Sequence, residues 1–198
     1  MDDRALAMQA QAGSQDAFCE LVERYQAKAM SIALGLVGHV EEAKDASQEA
    51  FVQAYHALPG FRADAAFATW LYRILVNECH DVLRSRARAR RWLWFPAPAH
   101  DAADAAEDFL ELVPAAQPSA RDAAHDEELA RTLRDAIAAL SPRQRSAVTL
   151  RYLQGLSVED TAGALGCATG TVKAQLARAL RHLRSRLDGA LEGGMSHA

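Results

Sequence analysis

Residues that usually mark turns and strands are scarce in this chain of 198 residues. It contains 11 glycines, 6 prolines and 3 cysteines, and only 7% of its residues are aromatic. No stretch shows the alternation of apolar and polar residues that is typical of a strand. Because Ala, Leu, Arg and Glu are abundant instead, the composition predicts an all-α protein.

Signals for metal, redox, membrane or catalytic sites are also missing. Cys19, Cys79 and Cys167 are far apart and have apolar neighbours, so they are interpreted as buried small hydrophobic residues. The absence of His-x3-His and Cys-x2-Cys spacings argues against zinc. The absence of a nucleophile–base set argues against an enzyme. Without a signal peptide or an apolar run of about 18 residues, we expect a cytoplasmic protein. We also expect no cofactor and no small-molecule substrate.

Charge is distributed unevenly along the chain. The formal net charge is -4, yet residues 129–186 hold ten Lys or Arg against three Asp or Glu. Residues 101–128 hold nine acidic residues and one basic residue. A second basic run consists of Arg84, Arg86, Arg88, Arg90 and Arg91. Local positive charge is what binding to phosphates requires, whereas a merely solvated helix face would mix the signs.

Residues 156–178 carry the pattern of a helix-turn-helix. Ser157 is placed to cap a short helix, and Gly166 supplies the corner before a second helix over 171–187. The apolar residues predicted to point inward are Val158, Ala162, Leu165, Val172, Leu176, Ala179, Leu180 and Leu183. Side chains that reach bases and phosphates in a major groove occupy the opposite face. They are Lys173, Gln175, Arg178, Arg181 and Arg184. Any two short amphipathic helices joined by a glycine can imitate this motif, but the local positive charge favours DNA.

Residues 1–91 form the first predicted domain. Apolar residues at three- and four-residue spacing predict helices from Ser14 to Gly38, over 40–58 and over 66–91. Three helices with such faces can close one core.

Residues 92–127 separate this domain from a second one. Four prolines, many Ala and Asp residues and no sustained periodicity indicate a flexible acidic linker. The second domain spans 128–191, and residues 192–198 are predicted to be a disordered tail. The first helix of the second domain is marked by Leu129, Leu133, Ile137 and Leu140. Ser141 and Pro142 begin a second helix that ends near Gly155.

The order and spacing of these motifs resemble the extracytoplasmic-function (ECF) sigma factors of bacterial RNA polymerase, which consist of regions 2 and 4 only. In the first domain the resemblance is carried by residues 16–25, 43–51, 67–77 and 81–84. In the second it is carried by residues 140–145 and by the helix-turn-helix. The resemblance implies a region 2 helical bundle and a region 4 helix-turn-helix that together direct core polymerase to promoters. A free-standing helix-turn-helix regulator, which would bind a symmetric operator tightly without polymerase, is the alternative.

The resemblance also implies where each partner binds. The outer face of the second predicted helix would hold the clamp helices of the largest polymerase subunit, although charge pattern alone fits an ordinary solvated face. Those residues are Asp45, Gln48, Glu49 and Val52. The third helix and the loop before it would hold the opened minus-10 strand, because flipped bases need apolar pockets, polar edges and nearby cations. Those residues are Phe61, Arg62, Arg73, Asn77, Asp81, Arg84 and Arg88. Phe67 and Trp70 are interpreted as core.

The minus-35 duplex would be bound by the second helix of the helix-turn-helix. The residues implied are Thr169, Thr171, Lys173, Gln175 and Arg178. Two positions depart from the family pattern. Ala168 stands where a capping Ser is usual, so the cap either moves to Thr169 or is absent. Gln175 occupies a place often held by Arg, which shifts the preference from guanine towards adenine or removes a phosphate contact.

Further partners follow from the same resemblance. They are the flap of the polymerase and a membrane-linked anti-sigma factor, which would hold the cytoplasmic chain at the inner membrane. Promoter elements about 25 base pairs apart are separated by roughly 85 Å. A linker over 92–127 reaches at most about 120 Å, so the two domains could span a promoter.

Overall fold

The computed structural model describes residues 2–62, 66–92, 132–133 and 135–195. In these ranges every regular element is helical, so the prediction of an all-α protein is confirmed. The predicted linker, apart from residue 92, lies outside the described residues, as do Leu129 and residues 196–198 of the predicted tail.

Four α-helices build the first half of the chain: α1 (Asp3–Gln11), α2 (Gln15–Val37), α3 (Val40–Ala57) and α4 (Phe67–Trp92). A 3-10 turn, Leu58–Gly60, follows α3. Ser14 caps α2 as predicted, because its hydroxyl accepts a hydrogen bond from the Ala17 amide at 3.3 Å. Gly38 ends α2 in the left-handed conformation with φ 79°.

Helix α1 was not predicted from the sequence. It buries Leu6, Ala7 and Ala10 against α2 and α4. Two of these three residues are alanines, so the apolar stripe contains a single large side chain and the periodic signal is weak. The helix nonetheless completes the core beneath the turn that precedes α4.

The second half begins with helical residues at 132–133 and 135–138. Helix α5 (Pro142–Val148) follows and continues as a π-helical segment, Thr149–Leu153. Ser141 and Gln144 form a reciprocal capping box at 3.4 and 3.1 Å, which confirms the predicted start. Leu133, one of the four residues that marked the predicted first helix of this half, is 39% exposed.

The helix-turn-helix consists of α6 (Val158–Leu165) and α7 (Thr169–Met195). The Ser157 hydroxyl accepts a hydrogen bond from the Asp160 amide at 2.9 Å, and Gly166 turns the chain with φ 61°. Both features were predicted. Leu180 was predicted to point inward, but it is 46% exposed because the adjacent Ala179 takes the buried position. Helix α7 continues to Met195, past residue 191, where the predicted domain ends.

The two halves pack directly against each other. Leu150, Leu156 and Ala164 of the second half join the apolar cluster formed by α2, α3 and α4. Helix α4 lies against α6, and α2 lies against α5 and the π-helical segment. The sequence predicted two linked domains and did not predict this contact.

The cysteines differ from one another in burial. Cys79 is fully buried, and burial raises the pKa of its thiol to about 12. Cys167 is half-buried, whereas Cys19 is exposed, so the expectation of burial was wrong for Cys19. In the described ranges no cluster of three or more metal-ligating side chains occurs, and no described helix is long and apolar enough to cross a membrane.

Candidate nucleic-acid interfaces

Helix α7 presents the residues predicted to bind duplex DNA on the side away from its core. Val172, Leu176 and Ala179 are buried. Four of the five predicted residues are exposed and Gln175 is half-buried; the exposed ones are Thr169, Thr171, Lys173 and Arg178. At 100° per residue, Thr171, Gln175 and Arg178 share one side of the helix, and Lys173 lies on the other flank. The arrangement fits a helix that rests in a groove between base edges and backbone.

The structure shows which residue precedes α7 and whether that residue caps the helix. The helix begins at Thr169, so Ala168 occupies the position before it. The carbonyl of Ala168 accepts hydrogen bonds from the amides of Thr171 and Val172 at 2.9 and 3.2 Å. Because alanine has no side-chain acceptor, the capping interaction expected from a Ser at this place is absent.

Helix α4 presents a second polar stripe. Its five residues follow each other at spacings of four, four, three and four, and all are exposed: Arg73, Asn77, Asp81, Arg84 and Arg88. Such spacing keeps side chains on one face of a helix. Asp81 and Arg84 pair with each other, at 57% and 67% side-chain exposure. The stripe therefore offers one amide, a solvated ion pair and two further cations.

Two residues of the loop before α4 were predicted to bind the minus-10 strand, and they differ in exposure. Arg62 is exposed, but Phe61 is only 8% exposed. The ring centroid of Phe61 lies 5.0 Å from that of Trp70 and 5.9 Å from that of Phe67. Phe67 is buried, as predicted, and Trp70 is half-buried. Phe61 thus packs into an aromatic cluster beneath the loop.

The predicted polymerase-binding residues of α3 share one exposed face. Asp45, Gln48, Glu49 and Val52 all lie on it, at spacings of three, one and three residues. Val52 is 49% exposed and Tyr55, one turn further on, is 44% exposed. Two large apolar side chains among acidic and amide groups are typical of a contact surface for another protein.

Polar contacts join the two halves along α4. The Thr69 hydroxyl donates to the Asp160 carboxylate at 3.3 Å. A Cβ added to Gly166 would lie 3.5 Å from Nε of Arg73, so this guanidinium rests against the helix-turn-helix corner. Part of the predicted minus-10 surface therefore faces the second half of the chain.

Another group of contacts joins α2 to the second half. The Arg145 guanidinium donates to the Leu36 carbonyl at 3.0 Å, near the end of α2, and also to the carbonyls of Ala138 and Leu140. Burial lowers the pKa of Arg145, and the charge of Arg86 adds to this effect. Carbonyls at a helix C-terminus carry partial negative charge, which suits the half-buried guanidinium of Arg145.

Comparison with known proteins decides the family. The sigma-70 region 2 family matches residues 21–89, and the sigma-70 region 4 family matches residues 130–183. The RNA polymerase sigma-H factor of Pseudomonas aeruginosa is 36% identical over 192 residues, which cover 96% of this chain and 94% of that protein. The ECF RNA polymerase sigma-E factor of Escherichia coli K12 is 38% identical over 182 residues, or 90% and 91% of the two chains. The chain belongs to the ECF sigma factors.

Two solved structures are similar to this chain in fold as well as in sequence. CnrH in complex with the cytosolic domain of CnrY matches with a TM-score of 0.66 at 26% identity, over 94% of this chain and 97% of that chain. The sigma factor RpoE in complex with the anti-sigma factor NepR from Bartonella quintana matches with a TM-score of 0.63 at 25% identity, over 88% and 98%.

Two residues of this sigma factor were missed by the sequence analysis. The side-chain amide of Gln11 donates to the carbonyls of Leu58, Pro59 and Phe61 at 3.0 to 3.1 Å, so it fixes the turn before α4. No local signal identifies Gln11, because α1 itself was not predicted. Tyr55 was predicted to face inward with the apolar residues of its helix, which is wrong, because it is 44% exposed and follows Val52 by three residues on the exposed face.

Proposed function

We propose that this sigma factor binds the minus-35 duplex through α7 and the opened minus-10 strand through α4, while α3 holds core RNA polymerase. The observation that carries the proposal is the helix-turn-helix, in which α7 is buried on one side and exposes Thr171, Lys173 and Arg178 away from that core. A recognition helix in a major groove requires this separation of faces.

Contacts to the minus-35 duplex follow from the chemistry of each side chain. Arg178 suits a guanine edge, and Gln175 suits adenine N6 and N7. Lys173 is on the other flank of α7, where a flexible cation fits a phosphate better than a base. Thr169 and Thr171 add hydroxyl contacts at the start of the helix.

Strand opening at the minus-10 element needs no covalent chemistry from this chain. It requires only that this chain bind the separated strand more tightly than the duplex, so that binding shifts the equilibrium from closed to open DNA. Arg62, Arg73 and Arg88 would follow the phosphates, and Asn77 offers donor and acceptor groups to a base edge. Phe61 would act through its packing under the loop. RNA synthesis is left to the polymerase, and we propose no enzymatic activity for this chain.

The α3 face is proposed to bind the clamp helices of the largest polymerase subunit. Asp45 and Glu49 suit a basic or amide-bearing partner, and Val52 supplies apolar contact. The flap would contact region 4. We further propose that the protein acts in the cytoplasm and is controlled by a membrane-linked anti-sigma factor. Two solved structures that match along most of the chain support this partner: RpoE in complex with the anti-sigma factor NepR, and CnrH in complex with the cytosolic domain of CnrY.

Transcription in vitro tests the proposed function. Purified core polymerase, this chain and a library of promoter fragments should produce RNA with defined start points, and the selected promoters should share two separated elements. Core polymerase without the chain is the control. Tight binding of symmetric operators without polymerase, together with no initiation from any fragment, would instead identify a free-standing regulator.

A further inference from the structure

A side-chain amide on α3 joins this helix to α4. The Gln53 amide donates to Oε1 of Glu49, one turn earlier on α3, at 3.4 Å, and to Oε1 of Glu78 on α4 at 2.8 Å. The amide nitrogen of glutamine carries two hydrogens, so it can serve both carboxylates at the same time. Glu49 and Gln53 are exposed, and Glu78 is half-buried. The result is a bridge at the edge of the face that is proposed to bind core polymerase.

We propose that Gln53 is a positioning residue for the polymerase contact: it holds the Glu49 carboxylate in place and uses Glu78 of α4 as its anchor. This inference rests on the proposed function, because it requires that the α3 face bind core polymerase. It adds to that function two residues outside the predicted contact set, one of them on the helix that is proposed to hold the minus-10 strand.

The bridge leaves the Glu49 carboxylate able to accept hydrogen bonds from a partner. Gln53 uses Oε1 of each carboxylate, and within the described part of the chain neither carboxylate makes a further hydrogen bond or ion pair. An ionised carboxylate offers about four acceptor positions on its two oxygens. Oε2 of Glu49 is therefore available to a basic or amide-bearing partner, which is the chemistry already proposed for the clamp helices.

Anchoring matters because Glu49 is a long side chain on an open surface. Association costs the freedom of each side chain that becomes ordered, and a side chain that is already held loses less. Glu78 suits the anchoring role, since it lies on a second helix and is less exposed than Glu49. A carboxylate held in this way meets its partner in one orientation instead of many.

The bridge can be removed without disturbing the fold. Polar pairs at the surface add little to stability. The packing of α3 rests instead on its buried alanines, which are Ala43, Ala46, Ala50 and Ala54. Gln53→Met keeps an unbranched, helix-forming side chain but removes the donor. It should lower affinity for core polymerase about threefold, the size expected when one long side chain loses its preorganisation.

A double-mutant cycle separates positioning from a direct contact. If Gln53 acts through Glu49, then Gln53→Met should cost no further affinity in a Glu49→Ala background. Glu78→Ala removes the anchor and should reproduce the loss caused by Gln53→Met. Glu78→Gln is the conservative rescue, because its side-chain carbonyl can still accept from Gln53 although the charge is gone. It should keep the wild-type affinity.

Binding of the full chain to surface-immobilised core polymerase gives these affinities. Gln26→Met makes the same change at an exposed position of α2, so it is the matched control and should bind like the wild type. Binding to an isolated minus-35 duplex should be the same for every variant, since that contact is proposed for α7. A parallel loss of duplex binding in Gln53→Met would show partial unfolding and would overturn a specific role for this residue.

Three further results would overturn the inference. They are wild-type polymerase affinity in Gln53→Met, an undiminished effect of Gln53→Met in the Glu49→Ala background, and a loss in Glu78→Gln as large as that in Glu78→Ala. The last result would show that the charge of Glu78 matters and its hydrogen bond does not. Wild-type affinity in Glu49→Ala would instead contradict the proposed role of the α3 face itself, so the two failures appear in different variants.

Discussion

The imidazole of His80 in α4 lies 2.9 Å from the hydroxyl of Ser146 in α5, across the contact between the two halves. The Ser146 hydroxyl donates to the Pro142 carbonyl at 2.9 Å, so the imidazole is left to donate from Nε2. Burial lowers the pKa of His80, and Arg84 adds to the shift. The neutral imidazole is therefore the form that the packed halves favour.

Acidification is expected to weaken this contact. Arg143 also lowers the pKa of His80, whereas the Pro142 carbonyl and Asp81 oppose the shift. Exposed histidine has a pKa of about 6.5, so the separated form binds a proton more readily. The contact is then fully stable above about pH 6.5 and weakens as pH falls through that value towards the lowered pKa. Scattering between about pH 8 and pH 5 should show the radius of gyration rising. An equally steep rise in His80→Gln would contradict this origin.

Arg178→Ala should weaken binding to the minus-35 duplex and relax sequence preference at one base pair. Loss of a bidentate base contact costs about 1 to 3 kcal/mol. Lys173→Ala should weaken binding to all sequences alike and reduce the salt slope by about one. Titration of labelled duplexes at several salt concentrations measures both effects. Lys28→Ala, which removes an exposed cation from α2, is the matched control and should change neither quantity.

Gln11→Leu should impair minus-10 recognition through the turn that Gln11 holds. The substitution removes the donor for the carbonyls of Leu58, Pro59 and Phe61, at a cost in folding stability of about 1 to 2 kcal/mol. Discrimination between a normal and an abasic fork should fall, while minus-35 duplex binding stays unchanged. Gln9→Leu, on the exposed side of the same helix, should retain discrimination. A parallel loss of both kinds of DNA binding would indicate general unfolding instead.

Glu49→Lys should lower affinity for core polymerase at least fivefold, because it reverses a charge at the centre of the α3 face. Binding to isolated minus-35 duplex should be unaffected, since that contact is proposed for α7 and not for α3. Surface-immobilised core polymerase provides the measurement. Glu23→Lys makes the same change on an exposed position of α2. Equal losses in both variants would show that net charge, rather than the α3 face, governs the interaction.

Local features of the fold were predictable because their causes lie close together in the sequence. Ser14, Gly38 and the Ser141–Gln144 capping box start or end helices through contacts within about four residues. Gly166 was recognisable as a corner for the same reason. These signals do not depend on what the helix later packs against.

Contacts between the halves could not be predicted in this way. Thr69 and Asp160 are 91 positions apart, and Arg145 and Leu36 are 109 apart. Each of these residues also fits the helix in which it lies, so its neighbours in the sequence do not indicate a distant partner. Gly163 shows the limit most clearly, because its missing Cβ matters only when Thr69 is already in place.

The π-helical segment Thr149–Leu153 determines the direction in which the chain continues into α6 and α7. The Gln154 amide reaches back five residues to the Thr149 carbonyl at 2.9 Å, and the Leu156 amide reaches the Leu150 carbonyl at 3.0 Å. A π turn accommodates one more residue than an α turn, and one residue corresponds to about 100° of rotation. Shortening this segment by one position would rotate α7 around the axis of α5, so that Arg178 would point a quarter-turn or more away from its present direction.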